Sequence, residues 1–348
     1  MTPKETGGRY HSLYIILFIA LCVALLASAV LAWYYAQDLT KSPVADSSVS
    51  NQSFTFAAAG DFDSAPAFVD VLKQIKASDA NFTLGLGDLS YGNVIEREWC
   101  DKVHETLGAT HAFELVFGNH DDVSGSKAGL MAACLPNRMP DMVGDYGSKY
   151  YFDYKGLARI IGITPDITLY GQTNQYDQGS EQYKWLSDRI DEAQKQQLWV
   201  VVSMHKNCLT IGVKDCEIGQ DLFNMLLQKR VDIILQGHEH GYMRSKQLRV
   251  GEDCTSPTVG FKPNCLASDS NDLYNKGDGS VLVITGTGGV EPRDAQLDSP
   301  LAPYFASVHV KNANPVYGPT IFYVTPVAIT AQLIDTAGNV QDSFRIER

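Results

Sequence analysis

Short apolar runs recur along this chain, and each stops at a sharp polar turn. They are Phe54–Ala59, Phe82–Leu86, Ala112–Phe117, Leu198–Ser203 and Val231–Leu235. Runs this short, rich in β-branched and aromatic side chains, read as buried strands. Between some of them the pattern turns helical. Phe68, Val71, Leu72 and Ile75 follow the i, i+3, i+4, i+7 stripe of an amphipathic helix. Leu186, Ile190 and Ala193 do the same after Ser180, an N-cap by residue type. Leu222, Phe223, Leu226 and Leu227 mark a third helix. Strand alternating with helix predicts βαβ units and a largely parallel sheet. Towards the C-terminus the helices stop. Val281–Thr285, Thr320–Thr325, Ala328–Asp335 and Ser343–Ile346 read as successive strands, which predicts a second sheet packed on the first within one domain.

One run differs in kind. Leu13–Tyr35 is almost wholly apolar, and no charged residue stands between His11 and Asp38. Its length exceeds the ~20 residues a spanning helix needs. Trp33, Tyr34 and Tyr35 close it with rings that favour the headgroup layer, and Lys4 and Arg9 before it orient the N-terminus inward. The predicted organisation is a cytoplasmic segment 1–11, a transmembrane signal anchor 12–37, a polar linker 38–53 and a folded domain 54–348. The domain would face outward from the cell membrane on a single pass. Cleavage near Ala29, after the small-x-small triplet Ala27-Ser28-Ala29, is the alternative and would release a secreted protein.

Composition narrows the classes. The 348 residues are 45% hydrophobic and 20% charged, which excludes wholesale disorder. The net charge is 28 − 40 = −12. Such an acidic balance argues against a nucleic-acid partner, because neutralising a phosphate backbone needs clustered Lys and Arg. It leaves open a phosphorylated small molecule or phosphoprotein as substrate. Of the 7 cysteines, Cys22 lies in the apolar run. The others, Cys100, Cys134, Cys208, Cys216, Cys254 and Cys265, can pair in an oxidising compartment. Neighbour pairing (100–134, 208–216, 254–265) closes the shortest loops and is the expectation.

The turns after the strands carry the chemistry. Gly60-Asp61-Phe62-Asp63 follows the first, Gly87-Asp88-Leu89-Ser90-Tyr91 the second and Gly118-Asn119-His120-Asp121 the third. His205 follows Leu198–Ser203, and Gly237-His238-Glu239-His240 follows Val231–Leu235. In open α/β sheets ligands bind beyond the carboxyl ends of strands. Asp and Asn supply hard oxygen donors and His supplies nitrogen, a set that suits Zn, Fe or Mn. Two metals ~3.5–4 Å apart can activate water and hold the attacking and leaving oxygens of a phosphoryl displacement.

In order and spacing these residues resemble the calcineurin-like metallophosphoesterase superfamily. Gly87-Asp-Leu-Ser-Tyr91 narrows the resemblance to short, single-domain purple acid phosphatases. It continues through Tyr151-Phe-Asp-Tyr154, Gly179–Leu186, Gly286-Thr-Gly-Gly289 and Leu333-Ile-Asp-Thr336, from about Phe54 to the C-terminus. The fold so implied is α/β (α+β by some schemes): two packed mixed β-sheets flanked by helices, an α/β/β/α sandwich. The implied activity is hydrolysis of phosphomonoesters by in-line attack of a metal-bound hydroxide. Asp61, Tyr91 and His240 would hold Fe(III). Asn119, His205 and His238 would hold a divalent ion (Fe, Zn or Mn), and Asp88 would bridge the two. His120 would stabilise the transition state or protonate the leaving alkoxide. Asp63 departs from the pattern and could join or replace Tyr91 at the first metal. Asp121 is a further candidate ligand or support. Lys206 follows His205 where the resemblance leads one to expect arginine, and either steers a phosphate or is solvated. Lys127, Arg138 and Arg293 are candidate phosphate contacts. Segments Val123–Tyr150, Pro165–Gly179 and Arg244–Gly279 read as an irregular crevice rim. The same site could serve a phosphodiesterase or nucleotide hydrolase with Mn or Zn. A non-catalytic extracellular binding module and an iron-based redox role are rivals of other classes.

Overall fold

Strand β1 (Phe54–Ala59) is apolar on both faces and is therefore buried on both. Phe54, Phe56 and Ala58 point into one core, Ala57 and Ala59 into another. The computed structural model describes residues 52–63, 66–91, 96–121 and 127–348. Residues 52–348 form one compact unit. The expected cytoplasmic segment, the anchor and all but the end of the linker lie outside the described residues. Among the described residues no helix is long and apolar enough to cross a membrane.

The chain runs on through α1 (Pro66–Ala77), β2 (Phe82–Leu86), α2 (Glu96–Leu107), β3 (Ala112–Val116) and α3 (Lys127–Cys134). Then come β4 (Val143–Asp145), β5 (Lys149–Tyr154), β6 (Ala158–Ile163), the β7 (Thr168–Leu169) and β8 (Gln172–Thr173) hairpin, and α4 (Glu181–Lys195). Next are β9 (Trp199–Ser203), α5 (Gln220–Gln228), β10 (Ile233–Gln236), β11 (Tyr242–Leu248) and β12 (Leu273–Asn275). The last strands are β13 (Ser280–Thr285), β14 (Phe305–His309), β15 (Thr320–Val324), β16 (Ala328–Ile334) and β17 (Val340–Glu347).

Two mixed sheets result. The first has the order β12-β17-β16-β15-β1-β2-β3, the second β14-β11-β13-β10-β9-β6-β5-β4. Phe56, Phe82 and Phe322 from the first sheet pack with Trp199, Val201 and Leu235 from the second in a core between them. Helices α1 to α3 cover the outer face of the first sheet, and α4 and α5 that of the second. The predicted layering is thus observed. The stripe Phe68, Val71, Leu72, Ile75 is the buried face of α1. Ser180 caps α4, its hydroxyl accepting from the Tyr183 N–H at 3.1 Å.

The topology corrects one expectation. β15, β16 and β17 do not build a sheet of their own; β15 adds antiparallel to β1 and extends the first sheet. β13 instead joins the second sheet, parallel to β10. A strand's pattern shows which faces it buries but not which edge it pairs with. The expected rim also changes, since it contains α3, β4, the start of β5, the β7–β8 hairpin, β12 and, from Arg244 onward, most of β11. The three disulfides pair as expected: Cys100–Cys134, Cys208–Cys216 and Cys254–Cys265.

Candidate metal centre

The parallel strands β1, β2 and β3 of the first sheet and β9 and β10 of the second end at one crevice. The first sheet brings Asp61, Asp88, Tyr91, Asn119 and His120, the second His205, His238 and His240. Asp61, Asp88 and His238 take left-handed backbone, at φ of 56°, 49° and 71°. The backbone there turns sharply enough to aim each side chain back across the strand ends. Gly118 is required beside them, because a Cβ there would collide with the Asp88 carboxylate.

Hydrogen bonds fix the cluster. The Tyr91 hydroxyl lies 2.9 Å from both Asp61 Oδ1 and Asp88 Oδ2, and 3.3 Å from His240 Nε2. Asp88 Oδ2 is also 3.3 Å from His205 Nε2. His205 Nε2 in turn lies 3.2 Å from Asn119 Oδ1 and 3.0 Å from His238 Nδ1. Asp88 therefore stands between two groups, one of Asp61, Tyr91 and His240, the other of Asn119, His205 and His238. Donor atoms of Asp88, His205 and His238 all fall within 4.8 Å of one another, close enough to share an ion.

Each imidazole is oriented from outside. His205 Nδ1 donates to the Leu86 carbonyl at 2.8 Å, and His240 Nδ1 to the Glu291 carbonyl at 3.1 Å. His238 Nε2 meets Glu217 Oε1 at 2.9 Å. The remaining nitrogen of every ring faces inward, as a metal-binding histidine requires. The electrostatics agree. Burial pushes the Asp61 carboxyl up to about 7 against the pull of His205. Burial works the same way on Asp88, but His205 and the His120 N–H hold it well below the usual carboxylate range. Burial lowers His205, yet Asp88 and Asp61 outweigh it and raise the ring to about 9. Burial lowers His238 and His240 to about 4. Burial and the flanking carboxylates raise the Tyr91 phenol well above its ordinary value. Buried carboxylates that borrow protons or imidazolium charge are the groups that exchange them for cations.

The other candidates sit differently. His120 stands at the mouth with its side chain 49% exposed. Its backbone N–H donates to Asp88 Oδ1 at 2.8 Å, and its ring packs 4.8 Å from that of Tyr91. Asp121 is buried and accepts from Leu89 N (2.8 Å) and Gly118 N (2.7 Å), so it ties the second turn to the third. Burial raises its carboxyl to about 7. Asp63 is half-buried, with Tyr317 in electrostatic reach. Lys206 is neither a free phosphate contact nor solvated: it bridges Asp166 at 2.6 Å and Glu217 at 2.9 Å. Lys127 lies 3.5 Å from Glu96, and Arg138 donates to the Ala109 carbonyl.

Glu217 and Glu239 were not singled out by sequence. Glu217 follows Cys216 in a short bridged loop and carries no motif. Glu239 was legible in principle, because an acid between two inward-facing histidines must face away from them. It does, accepting from Thr210 Oγ1, Val213 N and Lys214 N, and so anchors the loop from Cys208 to Cys216.

Comparison with known proteins adds three findings. A family model described as calcineurin-like phosphoesterase matches residues 54–242. An uncharacterised protein of Mycobacterium tuberculosis is 29% identical over 237 residues, covering 62% of this chain and 44% of its own length. Purple acid phosphatase 21 of Arabidopsis thaliana is 26% identical over 207 residues, 56% of this chain and 45% of that protein. The match to these curated relatives thus spans less than half of their length. Among solved structures, a purple acid phosphatase from yellow lupin (Lupinus luteus) seeds superposes with a TM-score of 0.66 at 18% identity. It covers 85% of this chain and 54% of that one, a likeness of fold.

Proposed function

The chain belongs to the calcineurin-like phosphoesterase family, and on that premise we propose that it is a hydrolase of phosphomonoesters with a two-metal centre between its sheets. The observation that carries this reading is the convergence of Asp61, Asp88, Tyr91, Asn119, His205, His238 and His240, with each imidazole's outer nitrogen already engaged. Asp61, Tyr91 and His240 would hold one ion, Asn119, His205 and His238 the other, and Asp88 both. A phenolate is a hard anionic oxygen donor, so we assign Fe(III) to the position beside Tyr91 and a divalent ion to the second. Such a pair would supply an activated water and screen the phosphoryl oxygens. The protein does the rest. The His120 ring stands at the mouth, on a residue whose backbone N–H is fixed on Asp88 Oδ1, and is placed to give a proton to the leaving alkoxide. The domain would stand outside the cytoplasm on the N-terminal apolar segment, where disulfides persist.

Metal analysis and a substrate pair test this together. We expect one iron and one further metal ion per chain, and p-nitrophenyl phosphate turned over at least about tenfold faster than bis(p-nitrophenyl) phosphate. Faster diester cleavage would make the protein a phosphodiesterase. Correctly folded protein that binds no metal after Fe, Mn and Zn are supplied would end the enzyme reading. Protease treatment of intact cells should remove the domain if it faces outward.

Glu217 gives a second expected result. The His238 ring, and then Lys206, hold its carboxyl down to about 2 against burial, so it is an anion behind the ligand. Glu217→Gln should weaken one of the two metal ions roughly 10- to 100-fold, the usual effect of removing such a support. Chelator titration reads this directly. Equal affinity for both ions in the variant and the parent would show Glu217 to be a loop fastener only.

A further inference from the structure

Beside the turns that carry His205 and His238, two carboxamides are fully buried, Asn207 and Gln236. Asn207 stands two residues after His205. Gln236 ends β10, two residues before His238. Asn207 Nδ2 donates twice, to Gln236 Oε1 at 3.2 Å and to the Gly237 carbonyl at 3.0 Å. That carbonyl belongs to the peptide that leads into His238. His238 holds left-handed backbone at φ 71°, a conformation that a histidine keeps only where its surroundings impose it. Gly237 N donates to the His205 carbonyl at 3.1 Å, and His238 N to Asp61 Oδ2 at 2.7 Å. The Asn207 amide is a third tie on this turn.

Asn207 reaches His238 by a second route. Its backbone carbonyl accepts from Glu217 N at 2.9 Å and from Ile218 N at 3.4 Å. This fixes the residue whose carboxylate engages His238 Nε2. The backbone of His238 and the outer edge of its ring are thus both held from one residue. Fold stability does not account for the amide pair. Neither Asn207 Oδ1 nor Gln236 Nε2 meets a hydrogen-bond partner among the described residues. Apolar side chains of similar shape stabilise a fold about as well as a buried polar pair that is satisfied only in part.

We propose that Asn207 is a positioning residue for the second metal ion. Its carboxamide holds the Gly237–His238 turn so that His238 Nδ1 and His205 Nε2, 3.0 Å apart, face one ion. This rests on the proposed function, because it presupposes an ion there. Asn207 acts through His238, as a support behind a metal-binding histidine does. Asp61, Tyr91 and His240 take no hydrogen bond from its side chain.

The test uses full-length protein in two variants. Asn207→Leu combined with Gln236→Leu removes both amides and keeps most of their volume, and Asn207→Ala removes one amide alone. Chelator titration should show the second ion bound roughly tenfold more weakly in both variants, with the first ion changed by less than about threefold. Turnover of p-nitrophenyl phosphate should fall when the divalent ion is scarce. It should return towards the parent value when that ion is supplied at about 100 times its Kd for the variant. Stripped of metal, the double variant should unfold at a urea midpoint no lower than the parent's. Second-ion affinity within about twofold of the parent in both variants would overturn the inference, and a lowered midpoint beside it would make the amides structural. Failure of both variants to fold would overturn it too, because Asn207 would then serve the fold and not the ion. A parent protein that binds no second ion would refute the two-metal reading itself, and this inference with it.

Discussion

Asp88→Asn should lower phosphomonoester turnover by roughly 10³-fold or more, and metal content should fall with it. The Asp88 side chain is 2% exposed, and its Oδ2 faces Tyr91 at 2.9 Å and His205 at 3.3 Å. Asparagine has the same shape but carries no charge and offers one oxygen, so it cannot serve both groups. Elemental mass spectrometry beside an activity assay checks this, and an Asp88→Asn protein that keeps both ions would refute the bridging role. His120→Ala is the contrast. It removes a ring at the mouth and leaves the inward donors in place, so turnover should drop about 10²- to 10³-fold with metal content unchanged.

The largest expected loss of stability lies elsewhere. Arg244 in β11 of the second sheet is buried and grips Asp342 in β17 of the first, through Nε–Oδ2 at 2.6 Å and Nη2–Oδ1 at 2.8 Å. The Tyr242 hydroxyl donates to the same carboxylate at 2.7 Å, and Arg244 Nη1 donates to the Asn271 carbonyl at 2.6 Å. Arg244→Ala leaves the Asp342 carboxylate, with its side chain 9% exposed, without its cation and should cost about 3–5 kcal/mol in urea unfolding. Arg244→Met with Asp342→Leu should recover most of that, since the pair's desolvation penalty disappears with it. Burial opposes the Asp342 charge, but Arg244 and Tyr242 hold its carboxyl below the ordinary value. A depressed folded value means the ionic contribution is present above the unfolded carboxylate pKa of about 4 and lost as pH falls through the lower folded value. The parent should therefore lose more stability than the double variant between pH 7 and 3. Equal loss would show that the pair contributes nothing.

What the sequence showed and hid follows from the same physics. Strands such as β1, β2, β9 and β10 were legible because both of their faces are apolar. The turns that converge on the crevice were legible because each stands immediately after such a strand. β11 was not: Tyr-Met-Arg-Ser-Lys-Gln-Leu reads as a loop until Asp342, 98 residues from Arg244, is brought against it. α2 was missed because only Trp99, Cys100 and Val103 are buried on it. The partner of β15 could not be read either, since edge pairing leaves no periodicity. Glu217 and Lys206 acquired roles only through contacts across the fold.

The division of the centre between sheets has a mechanical consequence. Neither sheet carries a full set of donors: the oxygens come from the first, the imidazoles from the second. An ion gripped by both would work as a clasp on the open end of the sandwich, and its binding free energy would become adhesion between the layers. At a free concentration 100 times its Kd, one ion would add about 2.7 kcal/mol to the stability of the folded state. Chelation should then loosen the domain from the crevice inward, while the Arg244–Asp342 grip continues to hold β11 against β17.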